Sequence, residues 1–152
     1  MKKINRLRLN LCYLMGPMDH DREAGKQWRI DMAAFLKYEL KVIPVDPYNK
    51  PIMSMHESFL ESDDAHVERQ EAIEKGDIGK VKALMYPIVA SDLRIVDRCD
   101  FGIVYLDLDK RPCGSYDEIF TMSNQRKPVI VMCPQGVSSI PPWLYGRLRP
   151  EL

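Results

Sequence analysis

The sequence has no surplus of either charge, because its 22 lysine and arginine residues are matched by 22 aspartate and glutamate residues. Aromatic residues are also sparse, at 9% of the chain. Proteins that bind duplex nucleic acid neutralise its phosphates with a basic surplus, so the balance argues against that partner. Small anionic ligands stay open as partners. The length of 152 residues predicts a single domain over residues 1–152.

Long hydrophobic runs are missing as well. No apolar stretch approaches the roughly 20 residues of a membrane helix, which argues against a membrane partner. The first four residues resemble the start of a secretory signal, but Arg6, Arg8 and Asn10 interrupt the apolar segment that such a signal needs. The four cysteines form no CxxC pair, and we expect reduced thiols. Together these features predict a cytoplasmic protein.

Histidine is the third scarce feature. The chain has three histidines, and none is paired at helical spacing with another or placed beside a cysteine as zinc ligands are. We therefore expect no metal site.

Hydrophobic periodicity predicts alternating strands and helices. We expect strands at residues 7–13, 42–45, 101–106 and 128–132, and helices at 21–40, from 78 with an interruption or restart at Pro87, and at 115–125. Residues 53–75 are highly charged, and both a helix and a mobile flap stay open there. This order predicts an α/β domain with a parallel sheet and helices on both faces. Ligands of such domains bind at the carboxyl ends of the strands.

Polar clusters follow three of the predicted strands, and the fold would bring them together at that edge. They are Gly16-Pro17-Met18-Asp19, Asp46-Pro47-Tyr48-Asn49 and Cys113-Gly114-Ser115-Tyr116-Asp117-Glu118. Tyr48 lies between prolines and is a candidate for stacking on a base.

The spacing of Ser115 and Glu118 has two interpretations. It is typical of a capping box, in which the serine accepts a hydrogen bond from a backbone amide and the glutamate reaches back. The capping box is the default interpretation of the motif alone. The same position also suits a catalytic carboxylate, because a carboxylate in the first helical turn is held ionised by the helix dipole and faces the ligand crevice.

Three segments resemble the nucleoside 2-deoxyribosyltransferase-like family, which is related to 2′-deoxynucleoside 5′-monophosphate N-hydrolases. Tyr13-Leu14-Met15-Gly16-Pro17 is similar to the family's opening strand and its Y-L-x-G-P loop. Ser91-Asp92-Leu93, with Ile95 and Asp100, is similar to its D-L-x-x-I-x-x-x-D segment. Gly114 to Glu118, followed by Lys127-Pro128-Val129-Ile130, is similar to its G-[ST]-x-x-E and K-P-V segments. The three lie in the expected order.

The resemblance implies a flavodoxin-like or Rossmann-like three-layer domain with a four- to five-stranded parallel sheet. It implies cleavage of the N-glycosidic bond of a (deoxy)nucleoside or nucleotide, with transfer of the (deoxy)ribosyl group to another nucleobase. Glu118 is similar to the nucleophile that forms a covalent glycosyl-enzyme, and Asp92 to the aspartate that handles the proton of the leaving base. No cofactor is implied, and a homodimer or higher homo-oligomer is. The expected substrate-binding residues are Tyr13, Gly16, Pro17, Met18, Asp19, Tyr48, Asn49, Gly114 and Ser115.

One position departs from the family pattern. Six residues before the nucleophile the transferases carry an aspartate and the hydrolases a serine, whereas this chain has Pro112. Recognition of a 5′-hydroxyl or a 5′-phosphate therefore stays open. Four basic residues near the first two loops are weak candidates for meeting a phosphate, since each is more often a surface charge: Arg22, Lys26, Arg29 and Lys50.

Two other functions stay open. One is a nucleoside 5′-monophosphate N-glycoside hydrolase, in which water resolves the intermediate. The other is a catalytically silent nucleotide-binding sensor or sponge. Family members also continue beyond a segment similar to Trp143-Leu144-Tyr145-Gly146, so with the sequence ending at Leu152 we expect a fifth strand or final helix to be short or missing.

Overall fold

A parallel sheet of four strands organises the chain in a computed structural model that describes residues 5–17, 22–50 and 62–148. The strands are β1 (Leu11–Met15), β2 (Ile43–Val45), β3 (Phe101–Tyr105) and β4 (Val129–Met132). Their order across the sheet is β2-β1-β3-β4, and every neighbouring pair is parallel. This is the order of the first four strands of a flavodoxin-like sheet, so the predicted α/β fold class is confirmed.

The central strand β1 is buried on both faces. Its residues Cys12, Tyr13, Leu14 and Met15 are all inaccessible to solvent. Buried parallel strands are continuously apolar, whereas an alternating pattern suits a half-exposed strand. The prediction that this strand starts at residue 7 is wrong, because residues 6–9 form a turn in which Leu9 has a φ of 66°.

Five helices connect and flank the strands in the described part of the chain. They are α1 (Arg22–Tyr38), α2 (Asp63–Glu74), α3 (Ile78–Arg98), α4 (Cys113–Asn124) and α5 (Pro142–Arg147). The side chain of Asp77 accepts a hydrogen bond from the Lys80 amide, so it caps α3. Pro87 lies inside α3 without ending it. The charged stretch that the sequence left unassigned is helical over α2.

Two hydrophobic clusters divide between the faces of the sheet. Tyr13 and Met15 pack with Val96 of α3 and with Ile119 and Met122 of α4. The intervening residues of β1 point the other way and pack beside Leu36 of α1. This alternation follows from the two-residue period of a strand. It directs the side chain of Tyr13 toward α4, which carries Glu118.

All four cysteines are free. Burial raises the pKa of Cys99 to about 11, and it raises the pKa of the Cys12 thiol further, so both stay protonated. In the described ranges, no helix combines the length and the apolar character that crossing a membrane requires.

Candidate active site

A cleft with a volume of about 180 Å³ opens at the carboxyl ends of β1 and β3. Between these two strands the chain order of the sheet reverses, which is where open α/β domains bind their ligands. The lining residues come from the loops after β1 and β3 and from three helices: Gly16, Pro17, Arg69, Met85, Ile88, Val89, Asp92, Lys110, Arg111, Pro112, Cys113, Gly114, Ser115 and Glu118.

Both expected catalytic carboxylates line this cleft. Asp92 extends from α3 and Glu118 from α4, although 26 residues separate them in the chain. The strand β3 and the loop after it return the chain to the same edge of the sheet. Gly16, Pro17, Gly114 and Ser115, four of the expected substrate-binding residues, line the same cleft.

The carboxylate of Glu118 has an unusual environment. Burial raises its pKa from the ordinary 4.5 to about 8, and the negative charge of Asp92 adds to the rise. Two groups oppose it: the hydroxyl of Tyr13, which donates a hydrogen bond to Oε1 at 2.8 Å, and the positive charge of Arg29. Glu118 therefore gains and loses its proton near neutral pH.

Tyr13 occupies a different position from the one expected of a substrate-binding residue. Its side chain is 0% exposed and is not among the groups that line the cleft. Burial and the neighbouring carboxylates raise its pKa well above the ordinary value, so the hydroxyl keeps its proton. Tyr13 therefore supports Glu118 from the core side of the cleft.

Asp92 is held by a buried lysine. Its Oδ1 lies 3.0 Å from Nζ of Lys50, whose side chain is only 1% exposed. A charge is rarely buried in a protein unless it is paired. The interpretation of Lys50 as a solvated surface charge is therefore wrong, and its described partner is a candidate catalytic residue.

Arg29 is buried beneath the loop that follows β1. Its side chain is 0% exposed and donates hydrogen bonds to the backbone oxygens of Gly16 at 2.7 Å and of Gly25 at 2.6 Å. Its Nε also lies 3.7 Å from Asp46 Oδ1. These contacts fix the backbone of the loop after β1, whose residue Gly16 lines the cleft. The expectation that Arg29 is a surface charge is therefore wrong too. The sequence does not predict these contacts, because a single arginine within a helical pattern does not indicate a buried side chain.

The remaining expected residues lie in the other loops. Tyr48 sits in a short turn over Pro47–Asn49, with its ring 5.3 Å from the guanidinium carbon of Arg29, and it is not among the cleft-lining residues. Met18 and Asp19 lie outside the described residues, as does the side chain of Asn49.

The start of α4 differs from the sequence interpretation. The helix begins at Cys113, and Pro112 occupies the capping position without a side-chain hydrogen bond. Ser115 thus lies inside the first turn, and the capping box does not form. Glu118 consequently falls in the second turn, so its charge depends on burial and Tyr13 more than on the helix dipole.

No family model matches the chain, and no curated protein matches it. The resemblance to nucleoside 2-deoxyribosyltransferase-like proteins stays a prediction, and the chemistry of the cleft follows from its own residues. Within the described ranges, no group of three or more histidine, cysteine or acidic side chains is placed to hold a metal ion.

Proposed function

We propose that the protein cleaves the N-glycosidic bond of a (deoxy)nucleoside or nucleotide by double displacement and transfers the sugar to a second nucleobase. The observation that carries the proposal is the meeting of Asp92 and Glu118 in one cleft at the switch point of the sheet. Two carboxylates in different surroundings suit glycoside chemistry, in which one attacks and the other manages a proton.

Glu118 takes the role of nucleophile. Its carboxylate attacks the anomeric carbon, the bond from that carbon to the base nitrogen breaks, and the electron pair leaves with the base. A nitrogen of the acceptor base then attacks the same carbon and releases the carboxylate. Attack requires the ionised form, which the Tyr13 hydroxyl and the Arg29 charge favour.

The nucleophilic role has a pH signature. Because the pKa of free Glu118 is about 8, kcat/KM should rise with pH until that value and then level off. A rate that instead falls through pH 8 would assign Glu118 the role of proton donor. At neutral pH most ligand-free molecules hold the protonated form of Glu118, so only the ionised minority is ready to attack. The silent nucleotide-binding protein is the second candidate.

Asp92 handles the proton that the departing base needs, and Lys50 fixes the position of its carboxylate. A departing nucleobase anion is a poor leaving group, so help with its proton lowers the barrier. Asp92→Asn should therefore slow substrates with poor leaving bases far more than those with activated ones. Asp97→Asn is the matched control, since Asp97 is an exposed aspartate of the same helix. Equal losses for both substrate types would leave Asp92 with a structural role.

Product analysis separates the candidate functions. Incubation of a deoxynucleoside with a second free base yields a new nucleoside if the protein is a transferase and free sugar if it is a hydrolase. Tight binding with neither product supports the sensor or sponge. The same reaction should be repeated with Glu118→Ala, which we expect to bind ligand but to lose the rate by orders of magnitude.

Location and assembly belong to the same proposal. The free state of all four cysteines supports a cytoplasmic location, where thiols stay reduced. The homo-oligomer is proposed from the family resemblance. Light scattering on the purified protein measures it directly.

A further inference from the structure

The loop after β3 forms one wall of the cleft and has an unusual backbone conformation. Lys110, Arg111 and Pro112 line the cleft, and the loop leads directly into α4. Arg111 has a φ of 48°, in the left-handed region that residues other than glycine adopt only at a cost in energy. Such a conformation persists only where the surrounding structure holds it in place. The contacts that hold this loop therefore decide the shape of the cleft.

A glutamine from the loop after β4 holds the start of this wall. The Nε2 of Gln135 donates hydrogen bonds to Oδ1 of Asp107 at 2.7 Å and to Oδ2 of Asp109 at 3.0 Å. Its Oε1 accepts hydrogen bonds from the backbone amide of Leu108 at 3.4 Å and from the thiol of Cys133 at 3.6 Å. Hydrogen bonds to charged groups are the stronger kind, and a fully satisfied network is rigid. The side-chain amide of Gln135 thus ties three consecutive residues of the loop to the neighbouring loop.

A tight turn places Gln135 where it can make these contacts. The amide of Gly136 donates a hydrogen bond to the carbonyl oxygen of Cys133 at 3.1 Å, which closes a four-residue turn. Pro134 takes the second position of this turn, where proline is favoured, and Gly136 has a φ of 89°, which suits glycine. The hydroxyl of Ser139 also donates a hydrogen bond to the carbonyl oxygen of Gln135 at 2.9 Å. These contacts fix the turn, so Gln135 extends from a rigid base onto the loop after β3.

We propose that Gln135 is a positioning residue, which holds the wall at residues 110–112 in the place that the substrate requires. Gln135 is not among the cleft-lining residues, so it acts through the loop and not on the substrate itself. Its effect on catalysis rests on the function proposed above. A wall that contacts the substrate away from the reacting atoms stabilises the bound substrate and the transition state alike. Loss of such contacts raises KM and leaves kcat nearly unchanged.

Gln135→Leu removes these hydrogen bonds and keeps a side chain of similar size. We expect KM for the nucleoside or nucleotide to rise about tenfold, with kcat changed by less than about threefold. A loss of stability alone would reduce the amount of folded protein, so it would lower the apparent kcat and leave KM unchanged. Gln125→Leu is the matched control, because Gln125 also donates a hydrogen bond to an aspartate, Asp97, but lies at the far end of α4. A fall in kcat alone would overturn the proposal.

An exchange of polar groups assigns the effect to the contact itself. Gln135→Glu places a third carboxylate against those of Asp107 and Asp109, and it should raise KM at least as far as Gln135→Leu does. Asp107→Asn, added to Gln135→Glu, restores a donor opposite an acceptor and removes one of the like charges. We expect this double variant to return KM to within about threefold of the unmodified value. A double variant that loses as much as Gln135→Glu alone would overturn the proposal.

Amide hydrogen exchange separates this inference from the proposed function, because it needs no substrate. In Gln135→Leu we expect the amides of residues 108–110 to exchange about tenfold faster than in the unmodified protein, and those of β1 to exchange at the same rate. Unchanged exchange at residues 108–110 would overturn the proposal, whatever the protein catalyses. Faster exchange with an unchanged KM would also overturn it, because the wall would then move without effect on the substrate. Faster exchange in a protein that cleaves no nucleoside or nucleotide would support the hold of Gln135 on the wall and refute the proposed function.

Discussion

Tyr13 and Glu118 are 105 residues apart in the chain, yet the hydroxyl of Tyr13 donates a hydrogen bond to Oε1 of Glu118 at 2.8 Å. The tyrosine lies in the central strand of the sheet and is fully buried. Its raised pKa means that the tyrosine remains the donor across the working pH range. A core residue of β1 therefore favours the ionised form of the carboxylate in the cleft.

Tyr13→Phe should raise the pKa of Glu118 above about 8, because it removes a hydrogen bond that favours the ionised form. A hydrogen bond to a charged group contributes about 1.5 to 3 kcal/mol, so kcat/KM at neutral pH should fall by about tenfold or more. The pH profile of kcat/KM measures this, and its rising limb should move to higher pH.

Tyr105→Phe is the control for that change. Tyr105 ends the neighbouring strand and stacks on Trp28 with ring centroids 5.5 Å apart, a contact that phenylalanine keeps. The control should retain the unmodified pH profile. An unshifted profile in Tyr13→Phe would show that the tyrosine does not set the charge of Glu118.

Glu118→Gln should stabilise the fold increasingly as pH rises from about 4.5 to about 8. The native pKa lies above the unfolded one, so the contribution of Glu118 to stability is fully present below pH 4.5 and is lost as pH rises through 8. The upper limit is about 1.4 kcal/mol per pH unit within that window. Urea unfolding at several pH values measures the difference, with Glu74→Gln, at an exposed glutamate of α2, as the control. A difference that does not grow with pH would contradict the raised pKa.

Lys50→Met should destabilise the protein by about 3 to 5 kcal/mol, because it leaves the Asp92 carboxylate without its buried partner. Lys50→Met combined with Asp92→Asn should lose less than the sum of the two single changes. Chemical denaturation of all four proteins gives the coupling. Additive losses would mean that the pair contributes nothing as a pair.

Gly16→Ala should distort the loop after β1, which lines the cleft. A Cβ at this position would lie 2.9 Å from the ring of Trp28, and Arg29 holds the same loop by its backbone oxygen. Overpacking of this kind destabilises by about 1 to 3 kcal/mol, and activity should fall with it. Gly146→Ala is the control, since a Cβ there meets no atom within 4 Å. Normal stability and activity in Gly16→Ala would show that the loop adapts freely.

Much of the sheet is predictable from local pattern. The strands at Phe101–Tyr105 and Val129–Met132 follow from short runs of β-branched and aromatic residues beside polar loops. The start of β1 is not predictable in this way, because the alternating leucines before it resemble a strand but form a turn. Local pattern cannot show that no neighbouring strand pairs with them.

The candidate site also has parts that are predictable from the sequence and parts that are not. The loops that line the cleft follow from the rule that ligands lie at the carboxyl ends of parallel strands. The partners of the two carboxylates are not predictable from that rule, because Tyr13 reaches Glu118 and Lys50 reaches Asp92 only through tertiary packing. Arg69 lies in a helix that the sequence left unassigned because its charges mask its apolar face.

Mass spectrometry of a trapped intermediate tests the central claim most directly. A 2-fluoro nucleoside or nucleotide slows release of the glycosyl-enzyme, so the label should accumulate on the protein. The account predicts one adduct, located on Glu118 and missing from Glu118→Ala. A label on any other residue, or glycosidic turnover by a folded Glu118→Ala protein, would contradict it.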